Sequence, residues 1–382
     1  MVNFVFLSVY FYSVPNLRFS SFTDLFRLYT LKDVLQRVSI PVNVEENKLY
    51  YQIGIRSHSK GIFHKEAETG KQIGNKRIFW IEPNCMILNI VFAWEQAVAK
   101  TSEKEVGMVA SHRFPMYKVL NNSLDYIVDF FKTEKGKQLL QMASPGGAGR
   151  NKTLNQDFFL NSKIYLPSLN EQLKTSNLID LIEDRIETQS KIIDTLSSQK
   201  KQIRNLIFKD IHKNANCCIQ DYVIYEQPQK YIVHSTDYVS HGKDYTPVLT
   251  ANQSFILGYT LEKDGIYKKG DCIIFDDFTN ENKYVDFPFK VKSSALKILQ
   301  TKEGLMLKFF YEYLQFLNFE STDHKRHYLS EVAVTDISVP NLKEQTFLCK
   351  IFTSFDNKLK NEEALLEKYR LQKQFLLNNL FI

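Results

Sequence analysis

The strongest constraint on this chain is a long stretch that occurs twice. Residues 166–209 read LPSLNEQLKTSNLIDLIEDRIETQSKIIDTLSSQKKQIRNLIFK, and residues 339–382 read VPNLKEQTFLCKIFTSFDNKLKNEEALLEKYRLQKQFLLNNLFI. The copies align without a gap at an offset of 173 residues (339 minus 166), which pairs Pro167 with Pro340, Leu169 with Leu342, Glu171 with Glu344 and Gln172 with Gln345. Further on, Gln199 falls on Gln372, Lys200 on Lys373, Asn205 on Asn378 and Phe208 on Phe381. Solenoid units repeat every 20–50 residues or so. An offset this long marks a duplicated module instead.

Each copy opens with helix-start chemistry. Ser168 and Asn341 are N-cap residues that follow a proline, and Glu171 and Glu344 stand three positions later, as a capping box requires. Inside the first copy, Ile179, Ile186, Ile193, Lys200 and Ile207 recur every seventh position, with Ile182, Gln189, Leu196 and Ile203 between them. The second copy repeats this seam with Phe352, Leu359, Leu366, Lys373 and Leu380, and with Phe355, Glu362, Tyr369 and Leu376. Both copies place polar residues at the same two seam positions. Sustained heptads with such interruptions predict coiled-coil helices held in one register. A helix of this length would run roughly 60 Å at 1.5 Å per residue. It would hold two bodies apart.

The remainder has globular character: 382 residues, 44% hydrophobic and 24% charged, enough for two or three cores. A net charge of +6 and a pI near 8.8 suit an anionic partner without identifying one. Five cysteines without a CxxC pair fit a reducing cytoplasm and argue against a disulfide framework or a zinc ribbon. The apolar residues 1–13 are too short for a membrane span and lack the flanks of a signal peptide. They read as neither signal nor anchor, and no membrane is expected.

Stepping the boundaries back by one period divides the chain into an N-terminal extension (1–36), a first head (37–165), a central helical spacer (166–209), a second head (210–338) and a distal helical spacer (339–382). The first head has strand-like runs at 48–55, 77–81 and 86–92 and a helix over 124–142. The second has strand-like runs at 231–233, 255–260, 272–275 and 287–291 and a helix over 305–316. Both heads are therefore α+β. The connectors are alike and the heads have diverged, as expected of heads that read different things.

Catalytic motifs are weak. GGAGRNKT at 146–153 nearly matches a phosphate-binding loop, but Asn151 stands where the second glycine is required, so contact with a DNA phosphate or a plain turn is the better use of it. Glu281, Asn282 and Lys283, after Asp271, Asp276 and Asp277, resemble a metal-dependent phosphodiesterase constellation. The triplet is common by chance and lies in a polar turn between two strand-like runs, so a solvated hairpin is the favoured reading. His324 and His327 flank Lys325 and Arg326 without further metal ligands, which points to a basic surface loop. No adenine-methyltransferase motif and no nucleophile elbow is present, and the chain reads as a reader of DNA. The candidate contacts are Lys71, Lys76, Arg77, His112, Arg113, Arg150 and Lys152 in the first head. In the second they are Lys268, Lys269, Lys283, Lys290, Lys292, Lys325 and Arg326.

PNLRF at 15–19, the LPSLNEQ and VPNLKEQ openings, FDNKL at 355–359 and the NLIF and NLFI endings together resemble the specificity subunit of type I restriction–modification enzymes. Within the second head, TPVLTANQSFILGYT (246–260) and IIFDDFTNENKYVDFPFKVKSSALKIL (273–299) are similar to a target recognition domain of these subunits. The resemblance implies two α+β target recognition domains separated by two long helices that pair as an antiparallel coiled coil, in a pseudo-two-fold duplication. It also implies a chain without catalysis or cofactor of its own, in which each head reads one half of a bipartite site in double-stranded DNA. Modification (methyltransferase) subunits with S-adenosylmethionine, and restriction (translocase and nuclease) subunits with ATP and Mg²⁺, would be its partners in DNA adenine methylation and restriction. The alternative is a self-contained restriction nuclease or methyltransferase with duplicated recognition heads.

Overall fold

The computed structural model describes residues 14–147, 152–240, 245–250, 255–319 and 327–382. It divides into two compact units, Met1–Gln189 with Leu365–Ile382, and Ser190–Ala364. A central helix, Leu169–His212, and a distal helix, Leu342–Leu380, each give part of their length to both units. The expected spacers are thus not separate bodies: each half of a helix completes the core of a head.

In the first unit, strands Arg27–Thr30 and Lys163–Leu166 pair antiparallel. The short helix Leu31–Val34 then leads into a four-stranded sheet in the order Leu35–Val38, Met116–Val119, Met86–Leu88, Val98–Lys100. Leu31, Val34, Met86, Tyr117, Ile127 and Phe131 form a core that also takes in Ile179, Ile182, Leu376 and Leu380 from the long helices. The helix expected over 124–142 is two helices, Leu124–Lys132 and Glu134–Met142. Thr133 breaks it by adopting extended backbone, and its hydroxyl accepts the Gly136 N–H at 3.1 Å as the N-cap of the second helix. Gly136 is dictated by space, because a Cβ there would lie 2.2 Å from the Phe130 carbonyl oxygen.

In the second unit, Cys217–Cys218 pairs antiparallel with Asp336–Ile337, and the short helix Ile219–Tyr222 follows. The four-stranded sheet runs Val223–Glu226, Leu296–Thr301, Cys272–Asp276, Asn282–Val285, with helix Leu307–Leu317 packed on it. Strand for strand this is the order of the first unit. The duplication therefore reaches into the heads, where the letters no longer show it. One trace survives: Asp33 and Asp221 each accept the backbone N–H of the residue preceding a short helix, at 3.2 and 2.8 Å. The strand expected at 231–233 is instead the 3₁₀ turn Pro228–Tyr231 followed by a single bridge from Ile232 to Val291, and the run at 287–291 keeps only Lys290–Val291 as strand. Prolines at 228 and 288 remove the donors that longer ladders would need.

The seam residues are all buried or half-buried. In the first unit, Glu183 meets Lys373, and in the second Phe208 meets Phe352, so the early part of one helix lies against the late part of the other in both. The pairing is antiparallel.

Candidate nucleic-acid interface and its scaffold

The heads are fixed to the long helices by the duplicated glutamine. Gln172 is 1% exposed: its Oε1 accepts the Ser123 N–H at 2.9 Å, and its Nε2 donates to the Pro167 carbonyl at 2.9 Å and to Asn122 Oδ1 at 2.7 Å. Gln345 is fully buried and repeats the arrangement, accepting the Met306 N–H at 2.7 Å and donating to the Gly304 and Pro340 carbonyls, both at 2.8 Å. Ser123 and Met306 are the N-caps of the two head helices. One side chain thus satisfies a free helix-start amide and locks the helix opening at the same time.

The neighbouring glutamates depart from the capping-box expectation. Asn341 does cap the distal helix, accepting from Lys343 and Glu344 N–H groups at 3.1 Å, but Glu344 is exposed. Glu171 is 3% exposed and accepts two bonds of 2.7 Å from Arg18, whose guanidinium also donates to the Asp24 carbonyl at 2.6 Å. Leu17 N–H donates to the Asn379 carbonyl at 2.9 Å. The PNLRF segment thereby ties the start of the central helix to the end of the distal one in the first unit.

The polar seam lysines form the second set of junctions. Lys373 reaches Glu183 at 2.7 Å; Glu183 also binds Lys132 of the head helix at 2.9 Å, and Lys132 binds Asp129 at 2.8 Å. Shifted by 173 residues and exchanged between helices, the same pair is Lys200 with Asp356. Asp356 also binds Lys308 of its head helix, and the buried Glu312 gathers Lys200 at 2.9 Å, Lys308 at 3.0 Å and Arg204 at 2.8 Å. Burial opposes ionisation of Glu183 and Asp356, but the flanking ammonium groups outweigh it and hold both carboxyls below the usual range. Asp129 goes the other way, because burial pushes its carboxyl up to about 6 against the pull of Lys132.

The expected DNA contacts fall into groups. Lys71, Lys76, Arg77, His112 and Arg113 are exposed. Strands Ile78–Trp80 and Val109–Ser111 pair, and His112 N–H donates to the Arg77 carbonyl at 3.2 Å, so Lys76, Arg77 and His112 share one end of that ladder. Ile90 bonds to the Arg113 carbonyl on one side and to Leu154 N–H on the other, which brings Arg113 toward half-buried Lys152. The Lys152 ammonium lies 4.9 Å from the centre of the Trp94 ring. Arg150, Lys325 and Arg326 lie outside the described residues. In the second head Lys268, Lys269, Lys283 and Lys292 are exposed, with Lys269 engaged by Glu226 at 2.7 Å.

Lys290 is the exception. It is fully buried, pairs with Glu262 at 2.6 Å and donates to the Asp264 carbonyl at 2.8 Å, so it braces a loop and presents no charge to a ligand. Its ammonium holds the Glu262 carboxyl down to about 2. Glu262 and Asp264 stand near His234 in a grouping with metal-ligand chemistry, but the Lys290 charge already occupies Glu262. His327 is likewise 2% exposed and bonded to Glu331 at 3.0 Å, so it is no part of a basic surface loop; His324 lies outside the described residues.

The Glu281–Lys283 constellation does not assemble as a metal site. Asp276 accepts the Phe278 and Thr279 N–H groups, both at 2.8 Å, and Asp277 pairs with Lys297 at 3.1 Å and accepts the Tyr328 N–H at 2.9 Å. Asp276 is spent on the turn, and Asp277 on Lys297 and Tyr328. Among the described residues, no helix is long and apolar enough to cross a membrane.

No family model matches the chain. A curated specificity subunit of a type I restriction enzyme from Escherichia coli is 48% identical over 122 residues, which span 30% of this chain and 30% of that relative. The solved S subunit of a type I restriction–modification system from M. genitalium superposes with a TM-score of 0.63 at 14% identity, covering 97% of this chain and 99% of that one. A second solved chain, described with complex assembly and conformational transition of the type I system, has a TM-score of 0.53 at 12% identity and covers 93% of this chain and 97% of its own. The duplicated helices with their mirrored glutamine and lysine junctions thus belong to a fold that this chain shares along nearly its whole length with the solved S subunit, and over 122 residues its sequence is similar to that of the Escherichia coli specificity subunit.

Proposed function

We propose that the chain is the DNA-specificity subunit of a type I restriction–modification complex. Each head reads one half of a bipartite target in double-stranded DNA, and the antiparallel helices set the spacing and receive the modification subunits. The observation that carries this reading is the concurrence of a specificity subunit 48% identical over 122 residues with an S-subunit fold over 97% of the chain. The physical logic supports it. Two different heads on rigid helices turn two short readings into one long site, because linkage makes the second binding event intramolecular. The exposed basic residues at the ladder ends neutralise phosphates, while methyl transfer with S-adenosylmethionine and ATP- and Mg²⁺-dependent restriction belong to cytoplasmic partner subunits.

The test is co-expression with a modification partner, followed by sequencing of methylated adenines. Two defined half-sites separated by an undefined spacer are expected, whereas a single contiguous site would overturn the two-head reading. Insertion of four residues near Thr188 should change the spacer and leave both half-sites intact. The self-contained enzyme is addressed by incubating the purified chain alone with DNA and Mg²⁺ or S-adenosylmethionine, where inertness is expected.

A further inference from the structure

The loops that join the third and fourth strands of the two sheets are fixed by the same four bonds, although their letters differ. In the first head Met86–Leu88 and Val98–Lys100 flank residues 89–97, and in the second Cys272–Asp276 and Asn282–Val285 flank residues 277–281. Asn89 N–H donates to the Ala97 carbonyl at 2.9 Å and Asp276 N–H to the Glu281 carbonyl at 2.8 Å, which closes each loop at its neck. Asn89 Oδ1 accepts the N–H two residues on, from Val91 at 3.1 Å, as Asp276 Oδ1 accepts that of Phe278 at 2.8 Å. The next residue is matched as well. Ile90 N–H donates to the Arg113 carbonyl at 3.0 Å and Ile90 O accepts from Leu154 at 2.8 Å, while Asp277 N–H donates to the Ala295 carbonyl at 3.1 Å and Asp277 O accepts from His327 at 3.0 Å. Leu154 and His327 are 173 residues apart (327 minus 154), the period of the duplicated helices.

Each loop holds a phenylalanine out to solvent: Phe92 is 41% exposed and Phe278 36%. A single exposed ring would need no explanation. Two of them on matched loops, in heads whose letters have diverged, do need one. Cations stand around both. Arg113 is brought in by its bond to Ile90, and Lys152, two residues before Leu154, has its ammonium 4.9 Å from the centre of the Trp94 ring in the same loop. In the second head, exposed Lys283 on the return strand lines a cavity of about 730 Å³ together with Phe278, and exposed Lys292 lies three residues before Ala295. The bonds at the neck keep each ring in a fixed place, as recognition requires.

We propose that Phe92 and Phe278 are specificity-determining residues, each reading the 5-methyl group of a thymine in the half-site of its own head. A phenyl ring carries no hydrogen-bonding atom, so it makes no use of the donors and acceptors on a base edge. In an intact duplex the apolar feature of the major groove that varies with sequence is the thymine methyl, and phenylalanine is a side chain suited to it. The flanking lysines and Arg113 neutralise the adjoining phosphates and hold the ring at the groove. This rests on the DNA-reading function proposed above and adds the residues and the base to it.

The test uses the complex assembled with the modification partner, and target duplexes in which each thymine in turn is replaced by deoxyuridine, which lacks only the methyl group. The wild type should lose affinity about fourfold at one thymine of each half-site, the worth of one buried methyl group. F278A should bind the parent duplex more weakly by a similar factor and no longer distinguish thymine from deoxyuridine in the second half-site, with the first half-site unchanged. F92A should do the converse, and F278L, which keeps an apolar side chain, should retain part of the discrimination. Both rings are exposed, so the variants should melt at the wild-type temperature. A wild-type complex indifferent to deoxyuridine throughout a confirmed bipartite site would overturn the assignment and leave the two-head reading standing. Equal weakening of thymine and deoxyuridine duplexes by F278A would also overturn it, since a ring wedged between base pairs ignores the methyl group. Absence of a bipartite site from the wild-type methylation profile would instead sink the reading on which the assignment rests.

Discussion

The two helix-to-head junctions use the same register and fill it differently. Asp129 and Glu312 both stand six residues after the N-cap held by the duplicated glutamine, and both are buried. Asp129 has one lysine beside it, and burial wins, so its carboxyl rises to about 6. Glu312 has Lys200, Lys308 and Arg204 around it. At the position where Arg204 stands, the first unit has Leu377, which joins its apolar core. The difference teaches that a duplicated scaffold conserves where charge is needed while leaving its amount to local packing, because a buried carboxylate is tolerated only in proportion to the cations that enclose it.

Four experiments would break or sharpen this comparison. The largest effect is expected from E312Q, which leaves three cations around an uncharged side chain; denaturant unfolding should show a loss of about 3–5 kcal/mol. A cost below that of any change at Asp129 would end the contrast between the junctions. Next, Q172A and Q345A should each strand a buried amide at a helix start and lower stability by about 1–3 kcal/mol. Similar shifts in melting temperature are expected, and a large inequality would show that the two copies do not do the same job.

The third experiment concerns pH. Because the folded-state carboxyl of Asp129 lies above its ordinary value, its contribution to stability is fully present below that value and is lost as pH rises through about 6. D129N should therefore gain on the wild type between pH 4 and 7, by on the order of 1–2 kcal/mol. Equal stability differences at both pH values would rule out an Asp129 that titrates in the folded state. The smallest effects belong to the surface. R77A and K283A should each flatten the dependence of DNA affinity on salt by about one unit of log–log slope, uniformly across sequences. K290A should leave that slope alone and lower the melting temperature instead, since Lys290 faces Glu262 and not solvent.

What was legible in the sequence follows from what local physics writes into it. The seam at Ile179, Ile182, Leu376 and Leu380 was readable because a helix repeats its buried face at a fixed period, and all four are buried. Gln172 and Gln345 stood out as matched letters, but their role did not, since their partners Ser123 and Met306 lie 49 and 39 residues away. Glu171 was read as a local cap because Arg18, 153 residues distant, carries no local sign of the pairing. Lys290 reads as a candidate DNA contact for the same reason: lysine is ordinarily a surface residue, and only the loop at Glu262 and Asp264 draws it in.

The sequence by itself determined the duplication, the long helices, their register and the α+β character of the heads, because heptad spacing, caps and strand alternation act over a few residues. The tertiary structure decided that the two sheets share one strand order, that Lys373–Glu183 and Lys200–Asp356 are the same junction made twice, and that Phe92 and Phe278 stand on matched loops. Those are agreements between residues far apart in the chain. Only the folded arrangement brings their atoms within bonding distance, and only there does burial set the cost of a charge or an unmade hydrogen bond.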